Sequence, residues 1–270
     1  MSIVSGFIVP HPPLIIPEVG RGDETLIGDT IKSFQQIAAE TAALAPETLV
    51  ISSPHAPMYR DCLHISGGRK AVGDFARFRA PQVSLEIDYD EPFVQSLVSA
   101  AQAEGIPCIS EGDLEPGLDH GTLIPLYFVQ KAWQQNKPFP KVVRVGISGL
   151  SLETHYQLGK KIAETANTLE RRVVFIASGD LSHRLKKDGP YGFAAEGPQF
   201  DHAITEIIKS GDLRKFVSLD PRLADKAGEC GWRSFAILAG AMDGVQIKTG
   251  LLSYEGTFGV GYAVARVISQ

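Results

Sequence analysis

Short apolar runs alternate along the chain with longer stretches in which apolar positions recur at helical spacing. Ile3–Val9 and residues 48–52 are largely apolar runs of strand length. Between residues 25 and 44, apolar positions recur every three or four residues. These patterns predict two buried strands with an amphipathic helix between them. A crossover of this length favours parallel strands, so the pattern predicts a β-α-β unit.

The remaining pattern predicts an α/β chain that continues as one catalytic domain over residues 1–270. Residues 58–80 are predicted as a solvated loop, with a mobile flap over the site as the alternative, and residues 184–200 as a lid or long loop. His155, in the first turn of a predicted helix, is expected to be exposed. Further helices are expected at 90–104, 122–134, 152–169, 200–209, 212–218 and 234–242, and further strands at 83–87, 106–109, 142–147, 173–177, 245–254 and 259–267.

Composition restricts the functional class. Apolar residues make up 44% of the 270 residues and the net charge is −5, with no basic tract. A nucleic-acid surface is therefore not expected. Three scattered cysteines without a CxxC pair fit a reducing compartment. The start of the chain lacks a basic signal-peptide region, and no apolar run approaches membrane-spanning length. We therefore expect a cytoplasmic protein without membrane contact.

Histidines stand where the predicted strands end. His11 and His55 each follow a strand and are flanked by prolines, which end a strand abruptly and stiffen the backbone. His183 follows the strand at 173–177, and His120 lies in a glycine-bounded loop. Because the carboxyl ends of parallel strands meet at one edge of a sheet, where ligands usually bind, we expect these imidazoles to converge.

Two imidazoles with one carboxylate form the ligand set of a non-haem Fe(II) centre, and zinc accepts the same set. Glu229, which precedes a helix, is the candidate carboxylate. His183 and His120 are candidates for acid–base and orienting roles, because histidine titrates near neutrality. Asp180, three residues before His183, is a candidate to fix its tautomer, with a role as a turn cap as the alternative.

Five short segments, in this order, resemble the signature segments of class III extradiol ring-cleavage dioxygenases, the superfamily of the catalytic B subunit of protocatechuate 4,5-dioxygenase. The resemblance covers residues 3 to about 265. It implies a three-layer αβα sandwich around a central mixed, mostly parallel sheet. The segments are residues 9–13, 53–55, 118–121, 178–183 and 229–233.

The resemblance also implies a site and a reaction. Fe(II) would be held by His11, His55 and Glu229, with His183 as the base and His120 as the residue that helps to bind substrate and oxygen. Both atoms of O2 would enter a small aromatic diol, whose ring is cut beside one hydroxyl. Independently of the resemblance, Arg233 or a basic residue of the stretch 69–79 is a candidate partner for a carboxylate on the substrate.

Segments 178–183 and 229–233 are also similar to the Memo branch of this superfamily, in which a cysteine takes the place of the third ligand. Cys230 is therefore the alternative to Glu229, and a thiolate would shift the preference towards zinc or copper(I). Two alternative functions follow, namely a Memo-like metal-binding or redox protein without ring cleavage, and a metallohydrolase. The glycine-rich strands that close the chain are compatible with pairing to a second copy, as in a homo-oligomer.

Overall fold

A six-stranded sheet runs through the centre of the computed structural model, which describes residues 2–110 and 117–270. Its strand order is β7-β2-β8-β1-β10-β9, and β3–β6 and β4–β5 form two smaller pairs. In chain order the strands are β1 (Ile3–Val9), β2 (Thr48–Ser53), β3 (Leu63–His64), β4 (Lys70–Phe75), β5 (Ala80–Asp88), β6 (Cys108–Ile109), β7 (Lys141–Gly146), β8 (Val173–Ser178), β9 (Ile247–Glu255) and β10 (Tyr262–Ser269).

Four neighbouring strands of the central sheet, β7, β2, β8 and β1, are parallel. The last two strands, β10 and β9, continue the sheet in antiparallel pairing. The prediction that β1 and β2 are parallel is confirmed, although β8 lies between them rather than at their side. The ends of β2, β8 and β1 are consequently neighbours at one edge of the sheet.

Helices cover both faces of this sheet. On one face, α2, α4 and the β4–β5 hairpin enclose one apolar core, and on the other face α3 and α5 to α8 enclose a second. The expected three-layer arrangement around a mixed, mostly parallel sheet is confirmed. The helices are α1 (Pro17–Gly20), α2 (Gly28–Leu44), α3 (Glu91–Ala103), α4 (His120–Ala132), α5 (Leu152–Thr168), α6 (Glu196–Ser210), α7 (Pro221–Ala227) and α8 (Trp232–Ala241).

The central strands are buried along their whole length. Every residue of β2 and of β8 is buried. Strands covered by helices on both faces need apolar side chains in both directions, so they appear in the sequence as continuous apolar runs. This is why their positions could be predicted closely.

The prediction of a loop over residues 58–80 is wrong in part. Strand β4 forms an antiparallel hairpin with β5, and Ala71, Phe75 and Leu85 point into the core. Charged side chains on the outer face, such as Lys70, make this stretch look like a solvated loop. The alternation of a half-buried strand is present but short.

The prediction that His155 is exposed is also wrong. Its side chain is fully buried. One ring nitrogen, Nδ1, lies 2.8 Å from the carbonyl oxygen of Ser151, and the other, Nε2, accepts a hydrogen bond from the backbone N–H of Ser148 at 3.1 Å. Both polar atoms are thus satisfied by the loop before α5, which no sequence periodicity could indicate.

The turn-rich loop expected at residues 110–121 falls partly outside the described residues, since 111–116 are not among them. At its end, His120 is the first residue of α4 rather than a loop residue. In the part of the chain that the structure describes, no helix combines the length and apolar character needed to cross a membrane.

Candidate metal centre

Three histidine side chains meet at the sheet edge where β1 and β2 end. The Nε2 atoms of His11 and His55 are 3.1 Å apart. The His120 ring, at the start of α4, lies 4.1 Å from the His55 ring and 5.3 Å from the His11 ring, centroid to centroid. The expected convergence of these three imidazoles is therefore present.

All three imidazoles are held in their neutral form. Burial lowers the pKa of His11, and burial with the neighbouring histidine charges lowers the pKa of His55 to about 4 and that of His120 to about 3. A neutral imidazole offers a lone pair, which is the form that binds a metal ion. The three rings thus offer lone pairs to a cation and carry no positive charge that would repel it.

His11 is oriented by the end of β8. Its Nδ1 lies 3.0 Å from the hydroxyl oxygen of Ser178, and its backbone N–H donates to Oδ1 of Asp180 at 2.8 Å. When Nδ1 carries the proton and donates to Ser178, the lone pair at Nε2 is free for a metal. A hydrogen bond of this kind on the second nitrogen is typical of metal-binding histidines.

Cys230 approaches His11 from the other side. Its Sγ is 3.5 Å from Nε2 of His11 and accepts a hydrogen bond from the backbone N–H of Asp180 at 3.2 Å. The backbones of Gly179 and Gly231 are in direct contact there, because a Cβ on Gly179 would overlap the Cα of Gly231. This close approach brings the thiol to the end of β8.

The donor atoms fit a metal ion. In the described part of the chain, His11, His55 and His120 form one group and His11, Asp180 and Cys230 a second, with donor atoms within 4.8 Å of one another in each. Nitrogen donors of one tetrahedral ion lie about 3.3 Å apart, and nitrogen and sulfur about 3.6 Å apart, from typical bond lengths. The 3.1 Å between Nε2 of His11 and Nε2 of His55 agrees with the first value, and the 3.5 Å between Nε2 of His11 and Sγ of Cys230 agrees with the second. His55 and Cys230 belong to different groups, which share His11.

The Cys230 thiol is protonated when no metal is bound. Burial, together with the charges of Asp180 and Glu229, raises its pKa well above the ordinary value. A coordinated cation lowers the pKa of a thiol so far that the thiol loses its proton. Metal binding through this sulfur would therefore release a proton.

His183 and Asp180 form an acid–base pair beside the donor groups. Nε2 of His183 is 3.9 Å from Oδ2 of Asp180. Burial opposes the charged ring, but the interaction with the Asp180 carboxylate outweighs it and raises the pKa of His183. Burial likewise opposes the charged Asp180, yet His11 and His183 lower the pKa of this carboxyl. The ring of His183 is therefore a better proton acceptor than a free imidazole.

A cavity of about 770 Å³ leads to the cluster. Its floor is formed by the four histidines and Asp180, and Lys186 and Asp188 lie among its lining residues. This volume lies in the range of small-molecule sites. Aromatic side chains form much of the remaining wall, namely Phe78, Tyr191, Phe258 and Tyr262.

Residues 5–265 match the family model described as the catalytic LigB subunit of aromatic ring-opening dioxygenase. The chain belongs to the LigB family. Protein CA_C1420 of Clostridium acetobutylicum is 39% identical over 99% of the chain, and the chain covers 58% of that protein. The chain thus spans little more than half the length of this curated relative.

Other relatives of this LigB-family chain carry functional names. The 2-aminophenol 1,6-dioxygenase beta subunit of a Pseudomonas species is 24% identical over 97% of the chain and 93% of its own length. A MEMO1 family protein of Thermococcus onnurineus is 26% identical over 83% of the chain and 74% of its own length. The uncharacterized protein JW3007 of Escherichia coli K12 shares the fold, with a TM-score of 0.61, 16% identity and coverage of 98% of this chain and 100% of its own.

Two residues singled out in the sequence lie elsewhere in this LigB-family site. The Glu229 carboxylate accepts a hydrogen bond from the backbone N–H of Trp232 at 2.7 Å and belongs to neither donor group. Its burial raises its pKa to about 7. Arg233 does not line the cavity, and its Nε is buried. Neither side chain therefore contributes to the donor groups or to the cavity lining.

Sequence reasoning missed Ser178 and the aromatic wall. Ser178 ends a buried strand and looks like any strand-ending serine, so no signal marked its bond to His11. Within the predicted lid or long loop at 184–200, residues 186 and 188–191 line the cavity. The ring of Tyr191 contacts that of His183 at an angle of 36°, with the centroids 5.1 Å apart.

Proposed function

We propose that this chain is an Fe(II)-dependent dioxygenase that opens the ring of a small aromatic vicinal diol with O2. The observation that carries the proposal is the convergence of three neutral imidazoles on the floor of an aromatic-walled cavity, next to the His183–Asp180 pair. The ring-opening description of the LigB family and the dioxygenase names of its relatives support it.

In this proposal the metal is held by His11 and His55, and Cys230, which forms a donor group with His11 and Asp180, is the candidate third ligand in place of Glu229. The sulfur contacts the same His11 nitrogen that faces His55, whereas the Glu229 carboxylate is occupied at the start of α8. When bound, the metal would hold the diol and O2 side by side and pass electrons between them.

Other side chains of the site transfer the proton and hold the substrate. His183 takes the proton of a substrate hydroxyl, and the Asp180 carboxylate stabilises the protonated ring. The neutral His120, whose ring lies 4.1 Å from that of His55, donates a hydrogen bond to the substrate. The aromatic wall, with Tyr191 beside His183, holds the planar ring of the substrate.

The test is reconstitution with Fe(II) without oxygen, followed by addition of a catechol and then air. Ring opening predicts consumption of O2 and a yellow product. Glu229→Gln and Cys230→Ser form the matched pair for the ligand assignment. We expect iron to be retained in the first and lost in the second. Iron retained in Cys230→Ser and lost in Glu229→Gln would reverse the assignment.

A second candidate is a Memo-like protein that binds zinc or copper(I) through Cys230 without ring cleavage. The position of the thiol 3.5 Å from Nε2 of His11 favours it, because thiolate ligands select these softer ions. The similarity to a MEMO1 family protein also supports it. It predicts stoichiometric binding of zinc or copper(I) and no consumption of O2 with any catechol, which is the result that would refute the dioxygenase proposal.

A further inference from the structure

Asp119 connects the two segments that carry His55 and His120. It is the residue before α4, and its Oδ1 accepts hydrogen bonds from the backbone N–H of Thr122 at 3.0 Å and from the Ser53 hydroxyl at 2.6 Å. The Ser53 oxygen in turn accepts from the backbone N–H of His55 at 3.2 Å. One carboxylate thus holds both the first turn of the His120 helix and the turn after β2.

The buried guanidinium of Arg144 lies beside the Asp119 carboxylate. The Arg144 side chain, in the middle of β7, is fully buried. Its Nε donates to the Ser66 hydroxyl at 2.6 Å, and its Nη1 donates to the carbonyl of Gly117 at 2.8 Å and lies 3.7 Å from Oδ2 of Asp119. A guanidinium taken out of water needs such partners. The segment before α4 is therefore anchored to the sheet.

The packing leaves little room for adjustment. The rings of His55 and His120 are 4.1 Å apart. A Cβ on Gly121 would overlap the Ser53 hydroxyl and lie 3.4 Å from Nδ1 of His11. The first turn of α4 therefore packs directly on the turn after β2 that carries His55. The hydrogen bond between Ser53 and Asp119 sets the distance between these two turns.

We propose that Asp119 is a positioning residue for the metal centre. Through Ser53 it fixes the His55 ring, through the first turn of α4 it fixes the His120 ring, and Arg144 supplies its buried counter-charge. The inference rests on the proposed function in that the centre binds a metal ion. It adds that the affinity and coordination geometry of that ion depend on a carboxylate that does not touch it.

The chain offers a closely matched control at the opposite end of β2. Asp90 caps α3, is buried, and accepts hydrogen bonds from the Thr48 hydroxyl at 2.6 Å and from the Phe93 N–H at 3.4 Å. Its Oδ2 lies 3.4 Å from Nε of Arg171. Asp90 therefore has the same kinds of partner as Asp119, namely a helix N-terminus, a hydroxyl of β2 and an arginine, but lies far from the histidines.

The experiment compares Asp119→Asn with Asp90→Asn in the whole chain. Cobalt(II) is the probe, because its visible absorption reports coordination geometry, and thermal unfolding of the metal-free protein reports the structural cost. Both variants should lower the unfolding temperature. Asp119→Asn should also weaken cobalt binding about 10- to 100-fold and change the absorption bands, whereas Asp90→Asn should stay within about threefold of the unchanged protein.

Equal effects of the two substitutions on cobalt affinity and spectrum would overturn the inference and leave the proposed metal centre standing. If Asp119→Asn does not fold, Ser53→Ala and Thr48→Val make the same comparison. Each removes the hydroxyl that donates a hydrogen bond to the corresponding aspartate, Asp119 or Asp90. Loss of affinity confined to Ser53→Ala supports the inference, and equal effects overturn it. Failure of the unchanged protein to bind cobalt at all would overturn the proposed metal centre and this inference together.

Discussion

Replacing His155 by glutamine tests whether this buried imidazole limits the stability of the protein in mild acid. The ring is fully buried, and both its nitrogens are engaged by the backbone at Ser148 and Ser151. Because Nε2 accepts a hydrogen bond there, a proton on Nε2 would break that bond and place a charge in the core. Burial accordingly lowers the pKa of His155 to about 4.

The sign and size of the effect follow from linkage. The unfolded chain takes up the proton near the ordinary histidine value of 6.5, while the folded chain resists it down to about 4. The stability that the neutral ring contributes is therefore fully present above pH 6.5 and is lost as the pH falls towards 4. At about 1.4 kcal/mol per pKa unit, this gap corresponds to about 3 kcal/mol.

Urea unfolding, followed by tryptophan fluorescence at several pH values between 7 and 4, measures the effect. The His155→Gln variant should lose about 3 kcal/mol less of its unfolding free energy over this range than the unchanged protein. The exposed His202, replaced in the same way, serves as the control and should leave the pH dependence unchanged. Parallel pH curves for the His155→Gln variant and the unchanged protein would refute the reasoning.

Three further predictions concern packing, a buried carboxyl and the cavity. Gly240→Ala should lower the unfolding temperature strongly, because a Cβ there would overlap the carbonyl oxygen of Tyr156, while Gly28→Ala, with open space and a negative φ, should not. Burial raises the pKa of Asp201 to about 6, so its contribution to stability falls by about 3 kcal/mol as the pH rises from 3.8 to 6. Asp201→Asn should abolish that loss when urea unfolding is measured at several pH values. An unchanged dependence of the unfolding free energy on pH would contradict the prediction. Tyr191→Ala should raise KM for a catechol more than it lowers kcat in oxygen-uptake assays, and a pure kcat effect would argue against a role in holding the ring.

The positions of the main strands, the parallel direction of β1 and β2 and the edge at which their histidines lie were accessible from the sequence, but the order of the strands in the sheet was not. Fully buried parallel strands are continuous apolar runs, and a proline ends such a run sharply, so His11 and His55 could be assigned to one sheet edge. The β4–β5 hairpin was missed because its outer face is charged, and His155 was misjudged because its partners are backbone atoms.

The choice between two adjacent candidate ligands depended on tertiary structure. Glu229 and Cys230 are neighbours in the sequence, and no periodicity distinguishes which of them faces His11. At the start of α8, the backbone N–H of Trp232 donates a hydrogen bond to the Glu229 carboxylate. The contact between Gly179 and Gly231 brings the Cys230 thiol to the end of β8, so it is Cys230 that faces His11.

The sequence by itself thus determined the order of the main strands and helices along the chain and the edge at which the histidines gather, because both follow from local burial and backbone stiffness. Only the tertiary structure decided how the donor atoms are oriented. Ser53, Asp119 and Arg144 lie far apart along the chain, and their hydrogen bonds and buried ion pair exist only once β2, α4 and β7 are packed together. Interactions between distant segments leave no periodic pattern in a sequence, and here they set the geometry of the histidine cluster.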